Sequence, residues 1–188
     1  AVPEALALLR DGFPIHTLAS AAKLEWWLRN DPAVAAAARA GRLRVGTPDA
    51  WLGWSLTGGG AFVTDASEAC CTGLYDPKRG AWSERVLSRI GVAPEWLPAL
   101  VPSDAVAGET APALLGAPVP LAARVGDQQA AAFAQGVHAP GQAKLTLGTS
   151  AMLDLHAGAA FPTPRRGSYP LVLWERRDGE RAYCLEAT

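Results

Sequence analysis

Two short segments in the second half of the chain carry residue types that phosphoryl-transfer chemistry uses. Asp127 follows a glycine and precedes Gln128 and Gln129, where the pattern predicts that a strand ends and a helix begins. A carboxylate there can accept the proton of a substrate hydroxyl group. The later segment Gly148-Thr149-Ser150 predicts a tight turn between strands, with backbone and hydroxyl groups that suit phosphate oxygens. Together they offer what a kinase of small hydroxylated molecules needs.

Each segment also has a purely structural interpretation. An aspartate directly before a helix is commonly an N-cap, and a Gly-Thr-Ser sequence is a common β-turn. Two features favour a function for Asp127: the predicted strand 119–125 would present it at a carboxyl end, and two amides suited to a polyhydroxylated substrate follow it. A Walker-type phosphate loop is excluded, because the chain contains no Gly-Lys dipeptide.

Composition narrows the class of protein. The 188 residues are 49% apolar and 19% charged, which is typical of a soluble globular protein. A net charge of −1 without a basic block gives no indication of a nucleic-acid partner, and the apolar runs are too short to predict a membrane span or signal peptide. The adjacent Cys70 and Cys71 and the distant Cys184 form neither a disulfide framework nor a zinc site, which favours a reducing, cytoplasmic setting.

The elements that must position these residues form a helix-rich part followed by a strand-rich part. The patterns predict helices near 20–30, 32–40, 48–56, 83–90, 94–100 and 127–137. They predict strands near 43–45, 119–125, 142–147, 151–156, 170–176 and 181–187. Asp178-Gly179 predicts a hairpin turn between the last two strands. The change in character places a domain boundary near residue 137.

Aromatic and histidine residues add no second candidate site. Tryptophans at helical spacings are predicted to lie in the core: Trp26, Trp27, Trp51 and Trp54. Scattered histidines are predicted to be surface or loop residues: His16, His138 and His156. No spacing of residues predicts a bound metal site built by this chain alone.

The order of several segments resembles the carbohydrate kinases of the FGGY family, in their glycerol-kinase-like form. Residues 20–26 resemble the first family signature, and residues 45–59 resemble a GT-x-D-x-W-L helix that ends at a T-G turn. Residues 63–67 resemble the V-T-D segment, residues 126–131 match the catalytic G-D-Q-Q motif, and residues 148–150 match the nucleotide turn. The similarity runs from about residue 13 to Thr188.

The resemblance implies an α/β fold, namely part of an actin-like ATPase built of two ribonuclease-H-like domains. Residues 1–137 would be the C-terminal part of the N-terminal (substrate) domain, and residues 138–188 the beginning of the C-terminal (nucleotide) domain. Asp127 would be the general base and, with Gln128, would contact substrate. The turn residues Gly148, Thr149 and Ser150 would contact ATP, with Mg²⁺ as the second cofactor.

The implied function is ATP-dependent phosphorylation of a hydroxyl group of a small polyol or sugar in the cytoplasm. Partners would then be the small substrate, with no nucleic acid and no membrane, and a homo-oligomer is left open. The alternative is a catalytically inactive remnant or an actin-like scaffold module, which keeps the fold without the chemistry.

Two departures from the family pattern bear on these expectations. Leu18 occupies the position where glycerol kinases have a tyrosine that contacts glycerol, which weakens the expectation for glycerol itself. The family's D-x-G-T-(T/S) phosphate loop and substrate Arg-Glu pair do not occur in the 188 residues. The resemblance therefore predicts an interior segment of a longer kinase, which would be inactive alone.

Overall fold

The computed structural model describes residues 2–14, 19–149, 151–163 and 167–187. Its helices are α1 (Val2–Arg10), α2 (Ser20–Asn30), α3 (Pro32–Arg39), α4 (Pro48–Leu56), α5 (Ala66–Ala69), α6 (Glu84–Ile90), α7 (Pro112–Leu115) and α8 (Asp127–Ala134). Its strands are β1 (Val63–Thr64), β2 (Tyr75–Asp76), β3 (Ala81–Trp82), β4 (Ala99–Leu100), β5 (Ala143–Leu147), β6 (Ala151–Gly158), β7 (Tyr169–Glu175) and β8 (Arg181–Ala187). Turns of 3₁₀ helix span Cys70–Thr72 and Pro94–Trp96.

The helices of the first half pack around an apolar core. Its buried side chains come from α2, α6 and the segments before, between and after these helices, and they include Phe13, Leu24, Leu74, Leu87, Trp96 and Leu97. The predicted break between the first two helices of this region is confirmed. Asp31 accepts hydrogen bonds from the backbone N–H groups of Ala33 and Val34 at 2.8 and 3.2 Å, and Pro32 occupies the first turn of α3.

The second half contains a four-stranded antiparallel sheet with the strand order β5-β6-β8-β7. These strands confirm the four predicted after residue 140. The predicted hairpin turn between β7 and β8 is also present, with Glu180 N–H donating to Asp178 Oδ1 at 3.0 Å. Gly179 has φ +87°, a conformation that glycine adopts without the strain other residues would meet.

A second core joins this sheet to two helices. Small side chains of α5 and α8 lie against the apolar face of β7 and β8, and the contacting set includes Ala66, Ala69, Ala132, Leu171, Val172, Leu173 and Cys184. Alanine lets a helix backbone approach the sheet closely, so that few arrangements of the helix are compatible with dense packing. The start of α8, which carries Asp127, is thereby held against the sheet.

The predicted strand 119–125 is wrong. The segment is extended but pairs through an isolated bridge between Glu109 and Pro120, with a further bond from the Leu121 N–H to the Gly108 carbonyl oxygen at 2.8 Å. Pro118 and Pro120 have no backbone N–H group to donate, which prevents a continuous ladder. Asp127 therefore follows a loop anchored at several points, not the end of a strand.

Three further predictions of local structure need correction. Residues 43–45 are not a strand, although Val45 N–H donates to the Trp96 carbonyl oxygen at 2.8 Å. The predicted helix 94–100 is a 3₁₀ turn followed by β4. The helix predicted over 127–137 ends at Ala134, two residues before Gly136, which has φ +87°.

The prediction that four tryptophans lie in the core is wrong. Their exposed fractions are 58% for Trp26, 49% for Trp27, 65% for Trp51 and 39% for Trp54. Helical spacing shows which side chains share a face of a helix, but it does not show whether another element covers that face. The described part of the chain therefore presents large apolar side chains on α2 and α4.

The predicted domain boundary falls in the turn between α8 and β5, and the division into 1–137 and 138–188 stays a prediction. Gln142 Oε1 accepts from the N–H groups of His138 and Ala139, both at 2.8 Å, which fixes this turn. Among the helices of the described ranges, none has the length and apolar character needed to cross a bilayer.

Candidate active site

Asp127 is the first residue of α8 and its side chain is exposed. The N-cap position belongs to Gly126, and the Asp127 carboxylate accepts from the N–H of the neighbouring Gln128 at 2.7 Å. An N-cap aspartate would stand one residue earlier and bond deeper into the first turn. The structure therefore leaves the carboxylate of Asp127 largely available to solvent and to a ligand.

The loop before Asp127 is fixed by a buried hydrogen-bond chain. Gly126 N–H donates to Ser67 Oγ at 2.8 Å, and the Ser67 hydroxyl donates to Asp65 at 2.7 Å. Ser103 also donates to Asp65, and its carbonyl oxygen accepts from Arg124 N–H at 2.8 Å. Burial raises the pKa of Asp65, against the opposing effect of the Ser103 and Ser67 hydrogen bonds. Two sequence segments far apart in the chain thus hold the backbone that presents Asp127.

Asp127 lies in an acidic neighbourhood that the sequence alone did not reveal. Burial raises the pKa of Glu68 to about 7, and the charges of Asp49, Asp65 and Asp127 add to this effect. The guanidinium of Arg124 is a buried positive charge in this region, with 9% of the residue exposed. Burial lowers the pKa of Arg124, while Asp49 and Asp65 act in the opposite direction. The sequence signal that could have indicated this acidic neighbourhood was the position of Glu68, one helical turn after Asp65 of the V-T-D segment.

Gln128 and Gln129 have different environments, although the sequence suggested that both amides serve a substrate. Gln129 is buried, and its Nε2 donates to the Val172 carbonyl oxygen at 3.4 Å. Gln128 is half-buried, and both its side-chain oxygen and its backbone carbonyl oxygen accept from Lys144 Nζ. Gln129 therefore ties α8 to the sheet, and Gln128 is the amide that a ligand could reach.

The predicted nucleotide turn connects β5 to β6. Leu147 pairs with Ala151, and Gly148 and Thr149 are exposed between them. Ser150 lies outside the described residues, as does Leu18. The same strand β5 that leads into this turn carries Lys144, which contacts Gln128. Strand β5 thus links the turn to the start of α8 through the contact between Lys144 and Gln128.

The two histidines that the structure describes, His138 and His156, make no contact with Asp127 or Gln128. His156 lies on β6, is buried, and stacks edge-on against Trp174 at 5.5 Å between ring centroids, so the prediction of a surface or loop position is wrong for it. Burial also lowers its pKa. His138 lies in the turn after α8, as predicted, with its ring 4.6 Å from that of Phe133. His16 lies outside the described residues.

The donor set suits Mg²⁺ held jointly with phosphate oxygens. Within the described ranges, no three His, Cys, Asp or Glu side chains are arranged to hold a metal ion by themselves. Mg²⁺ prefers oxygen ligands and is commonly held by one or two carboxylates together with substrate phosphates. The exposed Asp127 carboxylate, in an acidic neighbourhood, fits that requirement.

Comparisons with known proteins identify the family of this chain. The model of the FGGY family of carbohydrate kinases, N-terminal domain, matches residues 7–134. Glycerol kinase of Aromatoleum aromaticum is 43% identical over 94% of this chain, and glycerol kinase of Symbiobacterium thermophilum is 42% identical over 95% of it. This chain belongs to the FGGY family. It spans 36% of the length of each of these two relatives.

Solved structures of the FGGY family confirm the predicted fold class. The crystal structure of Plasmodium falciparum glycerol kinase with ADP superposes with a TM-score of 0.89 at 25% identity, covering 97% of this chain and 37% of that one. Xylulose kinase from Rhodospirillum rubrum superposes with a TM-score of 0.79 at 24% identity, covering 98% of this chain and 38% of that one. The chain is therefore α/β, with part of the actin-like ATPase fold.

Proposed function

We propose that the polypeptide carrying this chain transfers the terminal phosphoryl group of ATP to a hydroxyl group of a small polyol or sugar. The observation that supports this most strongly is Asp127, an exposed carboxylate at the first turn of α8 on a loop held by buried hydrogen bonds. A base used in catalysis needs this combination of access and fixed position. Membership of a carbohydrate kinase family supports a polyol or sugar as the substrate.

In the proposed mechanism, Asp127 accepts the proton of the substrate hydroxyl as the oxygen attacks the phosphoryl group. Gln128 hydrogen-bonds a neighbouring substrate hydroxyl and so orients the attacking oxygen. Gly148, Thr149 and Ser150 contact the nucleotide phosphates through backbone and hydroxyl groups. Asp127, together with the nucleotide phosphates, would hold Mg²⁺, which would offset negative charge on the transferring group. We place this reaction in the cytoplasm, with the oligomeric state left open.

A second function has one observation in its favour. The D-x-G-T-(T/S) phosphate loop expected of the family does not occur in these 188 residues, and phosphoryl transfer depends strongly on such a loop. A polypeptide that lacks it throughout would be a catalytically inactive remnant or an actin-like scaffold. The two functions differ in whether the complete polypeptide consumes ATP.

The deciding experiment is an ADP-release assay on the complete polypeptide with glycerol, erythritol, ribitol and xylulose as acceptors. The kinase proposal expects acceptor-dependent ADP release and a phosphorylated product that mass spectrometry identifies. ATP consumption that is independent of all acceptors, or no ATP consumption, would contradict it. An absence of ATP consumption would favour the scaffold function.

A further inference from the structure

Four polar residues form a continuous row across the sheet, one on each strand. Lys144 on β5 is directly opposite Asp154 on β6, Asp154 is opposite Glu186 on β8, and Glu186 is opposite Tyr169 on β7. The Lys144 ammonium lies 2.8 Å from Asp154 Oδ2, and the Tyr169 hydroxyl donates to Glu186 Oε1 at 2.6 Å. We name Lys144, Asp154, Glu186 and Tyr169 the polar row.

Charged side chains of the polar row are buried while apolar side chains of β5 are exposed, which is the reverse of the usual pattern of a sheet. The side chain of Lys144 is 0% exposed and that of Asp154 is 4% exposed. On the same strand, Leu145 and Leu147 are 56% and 76% exposed. Lysine is among the residues most rarely buried, and a buried ion pair costs so much desolvation that apolar residues often serve stability equally well. Stability alone therefore does not account for a lysine here.

The end of the row touches the candidate active site. Lys144 Nζ donates to the Gln128 backbone carbonyl oxygen at 3.3 Å and to its side-chain amide oxygen. An ammonium group has three donors and no acceptor, so the amide oxygen must be the atom that faces Lys144. The amide Nε2 group is then left to donate in another direction, from the residue directly after Asp127.

We propose that Lys144 is a positioning residue for substrate binding: it fixes the Gln128 amide so that Nε2 donates to a substrate hydroxyl oxygen. Asp154, Glu186 and Tyr169 hold the Lys144 ammonium in place through the row. The proposal rests on the proposed kinase function and adds to it a specificity requirement. The substrate must carry, next to the phosphorylated hydroxyl, an oxygen that accepts a hydrogen bond.

Kinetics of the complete polypeptide test this through a mutant cycle. Because Lys144→Met alone leaves Asp154 buried without its partner, the preferred variant is Lys144→Met with Asp154→Leu, which removes both charges. We expect the polyol KM to rise about tenfold, as the loss of one oriented hydrogen bond predicts. Gln128→Ala should raise KM by a similar factor. We call Lys144→Met with Asp154→Leu the row variant. In the Gln128→Ala background, the two substitutions of the row variant should change polyol KM by less than about twofold, since the row acts through Gln128.

A merely structural role for Lys144 gives a different pattern. The row variant would then raise polyol KM by the same factor with and without Gln128, or would raise the KM for ATP in parallel because β5 had moved. An unchanged polyol KM in an active row variant would also overturn the proposal.

A second readout does not depend on turnover. Crystal structures of the complete polypeptide and of its row variant should show the Gln128 amide oxygen on Lys144 in the first and the amide in altered or multiple rotamers in the second. An unchanged Gln128 rotamer in the variant would overturn the positioning role. A wild-type protein that shows no phosphoryl transfer would instead contradict the proposed function, and the two failures are thereby separated.

Discussion

At the scale of single residues, the position of Asp127 depends on side chains outside α8. Ser67 and Asp65 hold the Gly126 N–H, and Glu68 adds a second carboxyl group nearby. Carboxyl groups this close to one another disfavour ionisation, which adds to the effect of burial on the pKa of Glu68.

Glu68 gives a prediction with a defined pH window. Its folded-state pKa of about 7 lies above its ordinary value of 4.5, so the unfolded chain loses the proton first as pH rises. The wild-type protein consequently loses stability as the pH rises from 4.5 to about 7. Glu68→Gln cannot ionise and should not lose stability in this range. We expect the variant to be more stable than wild type by about 1 kcal/mol above pH 7, after allowance for solvent screening at a half-buried group.

Urea unfolding of both proteins from pH 4 to pH 8 measures this difference. The two free energies of unfolding should converge at the acid end of the range. A difference between them that stays constant with pH would show that Glu68 does not titrate in this window.

Leu18 supports a prediction about substrate choice. A leucine cannot donate the hydrogen bond that a tyrosine hydroxyl would make, and a site that lacks such a bond loses discrimination. We expect the complete polypeptide to show weak or absent preference for glycerol over erythritol, ribitol and xylulose. Leu18→Tyr should raise kcat/KM for glycerol relative to the others. A strong glycerol preference in the wild type would contradict this.

At the scale of elements, the sequence predicted most where local signals and burial agree. The strands after residue 140 and the helix that starts at Pro48 were found, because periodicity, proline and glycine all indicated the same bounds. The strand predicted at 119–125 was wrong, since Pro118 and Pro120 prevent a continuous ladder. The buried Lys144 was missed because its partners, Asp154 and Glu186, are set by sheet register and not by sequence spacing.

The loop that precedes α8 gives a prediction at this scale. Ser67→Ala should remove the acceptor for the buried Gly126 N–H and one of the donors to Asp65, which keeps its bond from Ser103. We expect a loss of about 1–3 kcal/mol in the free energy of unfolding, measured by urea denaturation. The control is Ser55→Ala on the exposed side of α4, which should change stability by less than about 0.5 kcal/mol. Equal effects of the two variants would contradict the anchoring role of Ser67.

At the scale of the whole molecule, the exposed tryptophans and the greater length of the relatives both indicate that the apolar surface of α2 and α4 is an interface. The relatives are longer, with this chain spanning 36% of each, and the described part of the chain presents Trp26, Trp27 and Trp51 to solvent. An apolar surface of this kind normally marks an interface. The sequence could not predict this exposure, because helical spacing alone does not distinguish a core from an interface.

A further prediction concerns the behaviour of these 188 residues when they are produced by themselves. A protein consisting of residues 1–188 should not phosphorylate a polyol, because the family's phosphate loop does not occur in it and positioning of the phosphates dominates this reaction. Its exposed tryptophans should be readily quenched by acrylamide. Robust ATP-dependent phosphorylation by these residues alone would contradict the account of how the site is completed.

The central claim, that Asp127 is the general base of a polyol or sugar kinase, is tested most directly by Asp127→Asn in the complete polypeptide. The variant keeps the size of the side chain and an oxygen that can accept from Gln128 N–H, but it cannot accept the substrate proton. We predict that kcat falls by about 10²–10⁴-fold while the melting temperature changes little. Near-wild-type turnover in Asp127→Asn would contradict the claim and leave Asp127 with a structural role at the start of α8.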